Sequence, residues 1–152
     1  MQSASGVFTA EITGNLRFTA KSRLDFPVVG DWVKTTRFEK NHSIIYSLFP
    51  RTSILKKRTT DKFGENQMIA ANIDCAFITQ SFGRDTNLNR MERYPAICYN
   101  ANSKPVIILT KTVMGEPARV EELIESLKKR IKNVIVIPFN AKTPEGSEIL
   151  FK

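Results

Sequence analysis

Two short stretches, Thr110-Lys111-Thr112-Val113 and Asn140-Ala141-Lys142-Thr143, combine residue types that could hold a nucleobase. Each follows an apolar run, "PVIILT" (105–110) in one case and "VIVIPF" (134–139) in the other. A guanine pocket in such a setting needs a long aliphatic stem over one face of the base, and Lys111 has one. It needs a carboxylate at position 113 to accept from the N1–H and N2–H donors. It also needs a small residue with an open backbone N–H for the guanine oxygen, here Ala141, and Lys142 could flank the ring. Position 113 is valine, so the group that reads guanine is missing. A Thr-Lys pair at a strand end is more often an ordinary solvated surface pair, and the pattern alone is a weak signal for a base site.

Catalytic chemistry finds less support. Phosphoryl transfer needs a phosphate cradle and a metal site. No Gly-x-x-x-x-Gly-Lys-Ser/Thr and no Gly-x-Gly-x-x-Gly occurs, and the seven glycines are scattered singly. His42 is the only histidine, and with Cys75 and Cys98 it falls short of the roughly four ligands of a structural zinc site. No Ser-His-Asp or Cys-His set can be built around it. Both cysteines are expected to be small buried apolar groups without a disulfide. No catalytic residue and no metal ligand is assigned.

A second kind of chemistry is electrostatic. "RTSILKKR" carries Arg51, Lys56, Lys57 and Arg58, and Lys62 follows. On a strand, Lys56 and Arg58 share one face and Lys57 takes the other. A phosphate-binding stripe follows, with Trp32 or Phe49 available for base stacking. An edge strand kept soluble by lysine has the same sequence. The whole chain has a net charge of +8. Residues 1–65 hold 11 basic and 6 acidic groups (+5), and residues 66–152 hold 12 and 9 (+3). That balance points to a polyanion such as nucleic acid before a membrane, since no basic amphipathic helix accompanies it.

The elements that must position these groups fall into two halves. Residues 6–13, 16–20, 28–38, 42–49 and 52–59 read as short β-strands, with Gly14-Asn15 as a turn between the first two, so the first half resembles a small barrel or sandwich. Trp32 is expected to anchor or rim it. A polar, charged stretch at 59–66 reads as a linker. Beyond it, "IDCAFIT" (73–79), "PVIILT" and "VIVIPF" read as strands buried on both faces. Helices are expected at 87–102, kinked or shortened by Pro95, and at 116–133, with Pro117 in its first turn and Lys128, Lys129 and Arg130 at its end. This order predicts a parallel sheet, with ligands beyond the strand C-termini. The domains are thus placed at 1–65 and 66–152. With 41% hydrophobic and 25% charged residues, and neither a signal-peptide pattern nor an apolar run of membrane-spanning length, the chain reads as globular and cytoplasmic.

Several stretches together resemble the circularly permuted, ribosome-small-subunit-dependent GTPases, the RsgA, YjeQ or EngC family. They are "VGDWV" (29–33), "PRTSILKKR" (50–58), "IAANID" (69–74), "NLNRMERY" (87–94), "PVIILTK" (105–111) and "NAKTPEG" (140–146). The resemblance implies an OB-fold barrel that binds ribosomal RNA, followed by part of a P-loop-GTPase-like parallel α/β sheet whose motifs run in permuted order. It implies GTP or GDP with magnesium in full-length members, zinc in a further C-terminal domain, the small ribosomal subunit and its 16S rRNA as partner, and GTP hydrolysis on that particle. By position, Thr110 and Lys111 match the first guanine loop, and Ala141 and Lys142 the second, with Asn140 where serine is usual. Val113 stands at the specificity aspartate, Pro144 where glycine is common and Pro95 where leucine is usual. The chain is expected to begin inside the OB domain and to stop before the P-loop, so GTP binding by this chain alone is not expected. Two readings follow, a fragment of a ribosome-assembly GTPase or a non-enzymatic RNA-binding module with a degenerate guanine site. A plain α/β protein is the third. An exposed sheet edge would favour self-association.

Overall fold

The computed structural model describes residues 1–4, 6–39, 41–58, 66–140 and 142–143. The chain divides into two compact units, Met1–Ile73 and Asp74–Lys152. The division falls after Ile73 and not at 65/66, because the strand that opens the expected second half pairs back into the first. The expected linker at 59–66 lies outside the described residues except for Asn66, which opens a strand instead.

In the first unit, β1 (Gln2–Ser3) pairs with β2 (Gly6–Val7), and β3 (Thr9–Ile12) leads into helix α1 (Gly14–Thr19). That helix is a correction, since residues 16–20 read as a strand. The Thr13 hydroxyl accepts from the Leu16 N–H at 3.1 Å, which caps the helix. In so short a run, alternating apolar residues fit either period. A 3₁₀ turn at Arg23–Asp25 follows. Next come β4 (Val33–Glu39), β5 (His42–Leu48), β6 (Ile54–Arg58) and β7 (Asn66–Ala71). β5 is the centre of a three-stranded sheet, parallel to β3 and antiparallel to β4, and β6 and β7 form an antiparallel pair. The interior is small, with Phe8, Ile45, Ala70 and Ala71 buried.

The second unit is built on β8 (Cys75–Ser81), α2 (Leu88–Asn100), β9 (Lys104–Thr110), α3 (Pro117–Arg130) and β10 (Ile135–Phe139). The strands form a parallel sheet in the order β10-β9-β8, as the alternating pattern requires. α2 runs through Pro95, which is fully buried. Met91, Ile107, Leu109, Leu127, Ile131, Val134 and Val136 form the core between helices and sheet. Central β9 is buried from Pro105 to Leu109, which explains its unbroken apolar sequence. Cys98 is buried as expected, and burial pushes its thiol up. Cys75 is exposed at the strand start, contrary to expectation.

Candidate functional site

The two loops expected to hold a base follow strands that the register of the second unit sets side by side. Phe139 lies opposite Thr110, so the segments after β10 and β9 leave the sheet side by side at its C-terminal end. Lys111 adopts the left-handed conformation (φ 59°), which breaks the strand and turns the chain into a 3₁₀ turn at Thr112–Met114. A non-glycine residue in that region is uncommon outside functional or tightly turned sites. Thr110 is half-buried, and its hydroxyl reaches the Gln80 carbonyl at 3.5 Å. Lys111 is exposed and Thr112 half-buried. Asn140 forms a side-chain turn, its Oδ1 accepting from the Lys142 N–H at 3.1 Å. Ala141 lies outside the described residues.

Val113 is 67% exposed and Met114 80%. At the position expected to read guanine, this open isopropyl group offers no acceptor to the N1–H and N2–H donors. Among the described residues no group of three His, Cys, Asp or Glu side chains gathers to hold a metal ion.

The basic strand separates into groups with different fates. Lys57 is exposed and Lys56 half-buried on β6, and neither is ion-paired among the described residues. Lys62 and the side chain of Arg58 lie outside them. Arg51 departs from its expected phosphate-binding role. Its guanidinium grips Asp31 through Nε (2.6 Å) and Nη2 (2.6 Å), and also donates to the carbonyls of Phe26 (2.9 Å) and Leu24. The two side chains are only 10% and 1% exposed. Burial pushes the Asp31 carboxyl up, but Arg51 and the Val28 N–H more than offset this and hold it below the ordinary carboxylate value. Arg51 is therefore a structural fork.

That fork belongs to a clasp that the sequence patterns did not reveal. Asn72 donates to the Gly30 carbonyl (2.9 Å) and accepts from the Thr52 N–H (2.8 Å) and hydroxyl (3.1 Å). Ser53 Oγ accepts from the Ile73 N–H at 2.7 Å. Gly30 has φ +90°, and a Cβ there would stand 2.0 Å from the Ala71 carbonyl oxygen. "VGDWV", "PRTS" and "IAANID" thus converge on one hydrogen-bonded knot. The signal was an arginine, an aspartate, a glycine and an asparagine in three separate motifs with no catalytic set to join.

What remains open on the first unit is aromatic and basic. Trp32 is 73% exposed, and Tyr46 and Phe49 are about half exposed. Trp32 thus rims the unit and anchors nothing. The cation over the Phe49 ring is Lys34, 5.5 Å from its centroid. Beside them Leu16, Leu24, Tyr46, Phe49 and Ile54 line a groove of about 570 Å³.

Comparison with known proteins gives the family and the fold. A family model described as RsgA GTPase matches residues 48–152. A "Small ribosomal subunit biogenesis GTPase RsgA" of Methanosarcina acetivorans is 37% identical over 146 residues, covering 95% of this chain and 38% of the relative. An "RsgA 2" of the same description from Lactiplantibacillus plantarum is 38% identical over 107 residues, covering 70% of this chain and 30% of the relative. The chain therefore spans about two-fifths of these relatives or less. The crystal structure of YjeQ from Thermotoga maritima superposes with a TM-score of 0.68 over 97% of this chain and 49% of that one, at 16% identity. YloQ, titled a circularly permuted GTPase, superposes with a TM-score of 0.56 over 86% and 43%, at 17% identity. At such identities the likeness speaks for fold, here an OB-type β unit followed by part of a permuted GTPase sheet.

Proposed function

Because the chain belongs to the RsgA GTPase family, we propose that it acts in maturation of the small ribosomal subunit, contributing RNA contact through its first unit and a base-holding sheet edge through its second. The family match carries this reading. The open aromatic and basic surface of the first unit supports it, since a ring such as Trp32 or Phe49 beside Lys34 suits an unstacked base next to a phosphate. Lys56 and Lys57 add cations that no carboxylate neutralises among the described residues.

A second reading is favoured by one observation, the exposed Val113 at the specificity position. On that reading the chain is a ribosome-binding module whose guanine loop no longer reads guanine. Both readings share the RNA-binding step and differ in nucleotide control. GTP with magnesium belongs to the first. Self-association goes with either, because the outer edge of β8 is unpaired among the described residues, whereas the β10 edge carries Pro138, which cannot donate.

The common step is tested by titrating purified small ribosomal subunits across a salt series. Affinity should fall steeply with salt. Replacing Lys56 and Lys57 with alanine should lower the slope of log K against log salt by about 1 for each RNA phosphate that a lysine had neutralised. A slope unchanged in the double variant would make this strand a solvated face.

A further inference from the structure

The C-terminal end of β8 carries a cleft that neither the base loops nor the basic strand uses. We propose that this cleft is a phosphate site, taking a phosphoryl or phosphodiester group between Arg84 and Arg90. Its volume is about 550 Å³, and every side chain lining it is polar. Arg84 follows Gly83, whose φ of +132° turns the chain out of the strand, and Arg90 sits in the first turn of α2. Both arginines are exposed, and neither guanidinium has an ion-pair or hydrogen-bond partner among the described residues. Two guanidinium forks without carboxylate partners thus border one polar cleft. Their planar donor geometry matches the oxygens of phosphate.

The cleft is also held in shape. Gln80, only 6% exposed, donates from Nε2 to the carbonyls of Ser81 and Asp85, both at 3.1 Å. The Thr86 hydroxyl accepts from the Gly83 N–H at 3.0 Å and bonds the Ser81 carbonyl at 3.2 Å. Asn87 caps the Arg90 N–H at 3.0 Å, so the positive end of a 13-residue helix faces the same space. The Phe82 N–H donates to the Thr110 carbonyl at 2.8 Å, which sets the cleft beside the strand end that bears Lys111. One group opposes the anion. Asp85 lines the cleft, is unpaired among the described residues, and leaves the lining with a single net positive charge. A nucleotide phosphate and an RNA phosphodiester present the same oxygens, and the test separates them.

The experiment is an amide-resolved NMR titration of the full chain with inorganic phosphate, at ionic strength matched with chloride. Saturable shifts are expected at Gly83, Arg84, Thr86 and Leu88. Arg84→Ala or Arg90→Ala should each weaken binding by about tenfold. Asp85→Asn should tighten it roughly two- to threefold. All three side chains are exposed, so the spectra of the variants should otherwise overlay. Competition by a nucleoside 5′-monophosphate, or by a short single-stranded RNA without terminal phosphates, identifies the source, and competition by neither restricts the site to free phosphate. Shifts that persist in the double arginine variant, or that spread evenly over the basic surface, overturn the proposal.

Discussion

Arg51→Ala is the perturbation whose cost the structure defines most closely. The substitution removes both bonds to Asp31 and the donors to the Leu24 and Phe26 carbonyls. Asp31, 1% exposed while Arg51 covers it, is then left with one partner among the described residues, the Val28 N–H. Orphaning one member of a buried pair costs about 3–5 kcal/mol, far more than the roughly 0–1 kcal/mol of an exposed pair. That is a large share of the stability of a unit this small. Arg51→Lys should recover only part of the loss, because an ammonium cannot reproduce the fork. Hydrogen exchange suits the assay, since the two units need not unfold together. The Ala71, Asn72 and Ile73 amides donate across the clasp and should exchange at least about a hundredfold faster. Amides of β9 should be unaffected. The pH dependence supplies the sign. In the wild type the folded pKa of Asp31 is depressed, so its stabilisation is present above the ordinary carboxylate pKa and lost as pH falls through the depressed value. Without Arg51, burial is opposed only by the Val28 N–H, so the carboxyl moves up. The gap between variant and wild type should therefore shrink with acidification through pH ~4. A loss under about 1 kcal/mol at neutral pH, or a gap that widens in acid, refutes the clasp as drawn.

Other expectations follow from single positions. Gly30→Ala meets the Ala71 carbonyl oxygen at 2.0 Å and forces a side chain onto φ +90°, so the first unit should lose about 2–4 kcal/mol in urea melts. A wild-type-like midpoint would mean that the Gly30 and Ala71 backbones separate freely. Val113→Asp restores two charge-assisted acceptor bonds of about 1.5–3 kcal/mol each. Fluorescent-nucleotide titrations should then show guanine preferred over adenine by at least about tenfold, with no measurable GTP binding by the unaltered chain. Micromolar GTP affinity with Val113 in place would sink this account of the loop. Light scattering should show self-association rising with concentration, and Thr79→Lys on the exposed β8 edge should suppress it.

The element order of the second unit was legible because its signals are redundant, although burial on both faces holds for β9 and not for β8 or β10, where Phe77 and Ile135 are each 58% exposed. A strand buried on both faces must be apolar throughout, and Val106–Leu109 is. A helix on one face of that sheet must repeat its apolar residues near 3.6, and Val120, Leu127 and their neighbours do. The first unit offers no such redundancy. Its strands are short and bulged, and its stability comes from polar contacts between residues about 20 to 40 apart, such as Asn72 with Gly30 and Thr52. Periodicity has no access to such contacts. Residues 16–20 failed for a related reason, since the capping hydrogen bond of Thr13 outweighs a five-residue alternation.

Arg51 shows why charge counting misplaces function. In sequence, Arg51, Lys56 and Lys57 are three equivalent cations on one stretch. In the fold they differ by what lies opposite. Arg51 faces Asp31 and two carbonyls, so its charge is neutralised internally and contributes nothing to a distant phosphate. Lys56 and Lys57 have no such partner among the described residues and keep their field. Arg84 and Arg90, spread over a polar loop and the turn of a helix, never formed a cluster in sequence, yet they line the same cleft. A cation is available to a ligand only where the fold has not already supplied its counter-charge. The arginine of "PRTS" therefore reports how the first unit holds together, whereas Arg84 in the loop after β8 and Arg90 in the first turn of α2 keep guanidiniums without a counter-charge among the described residues.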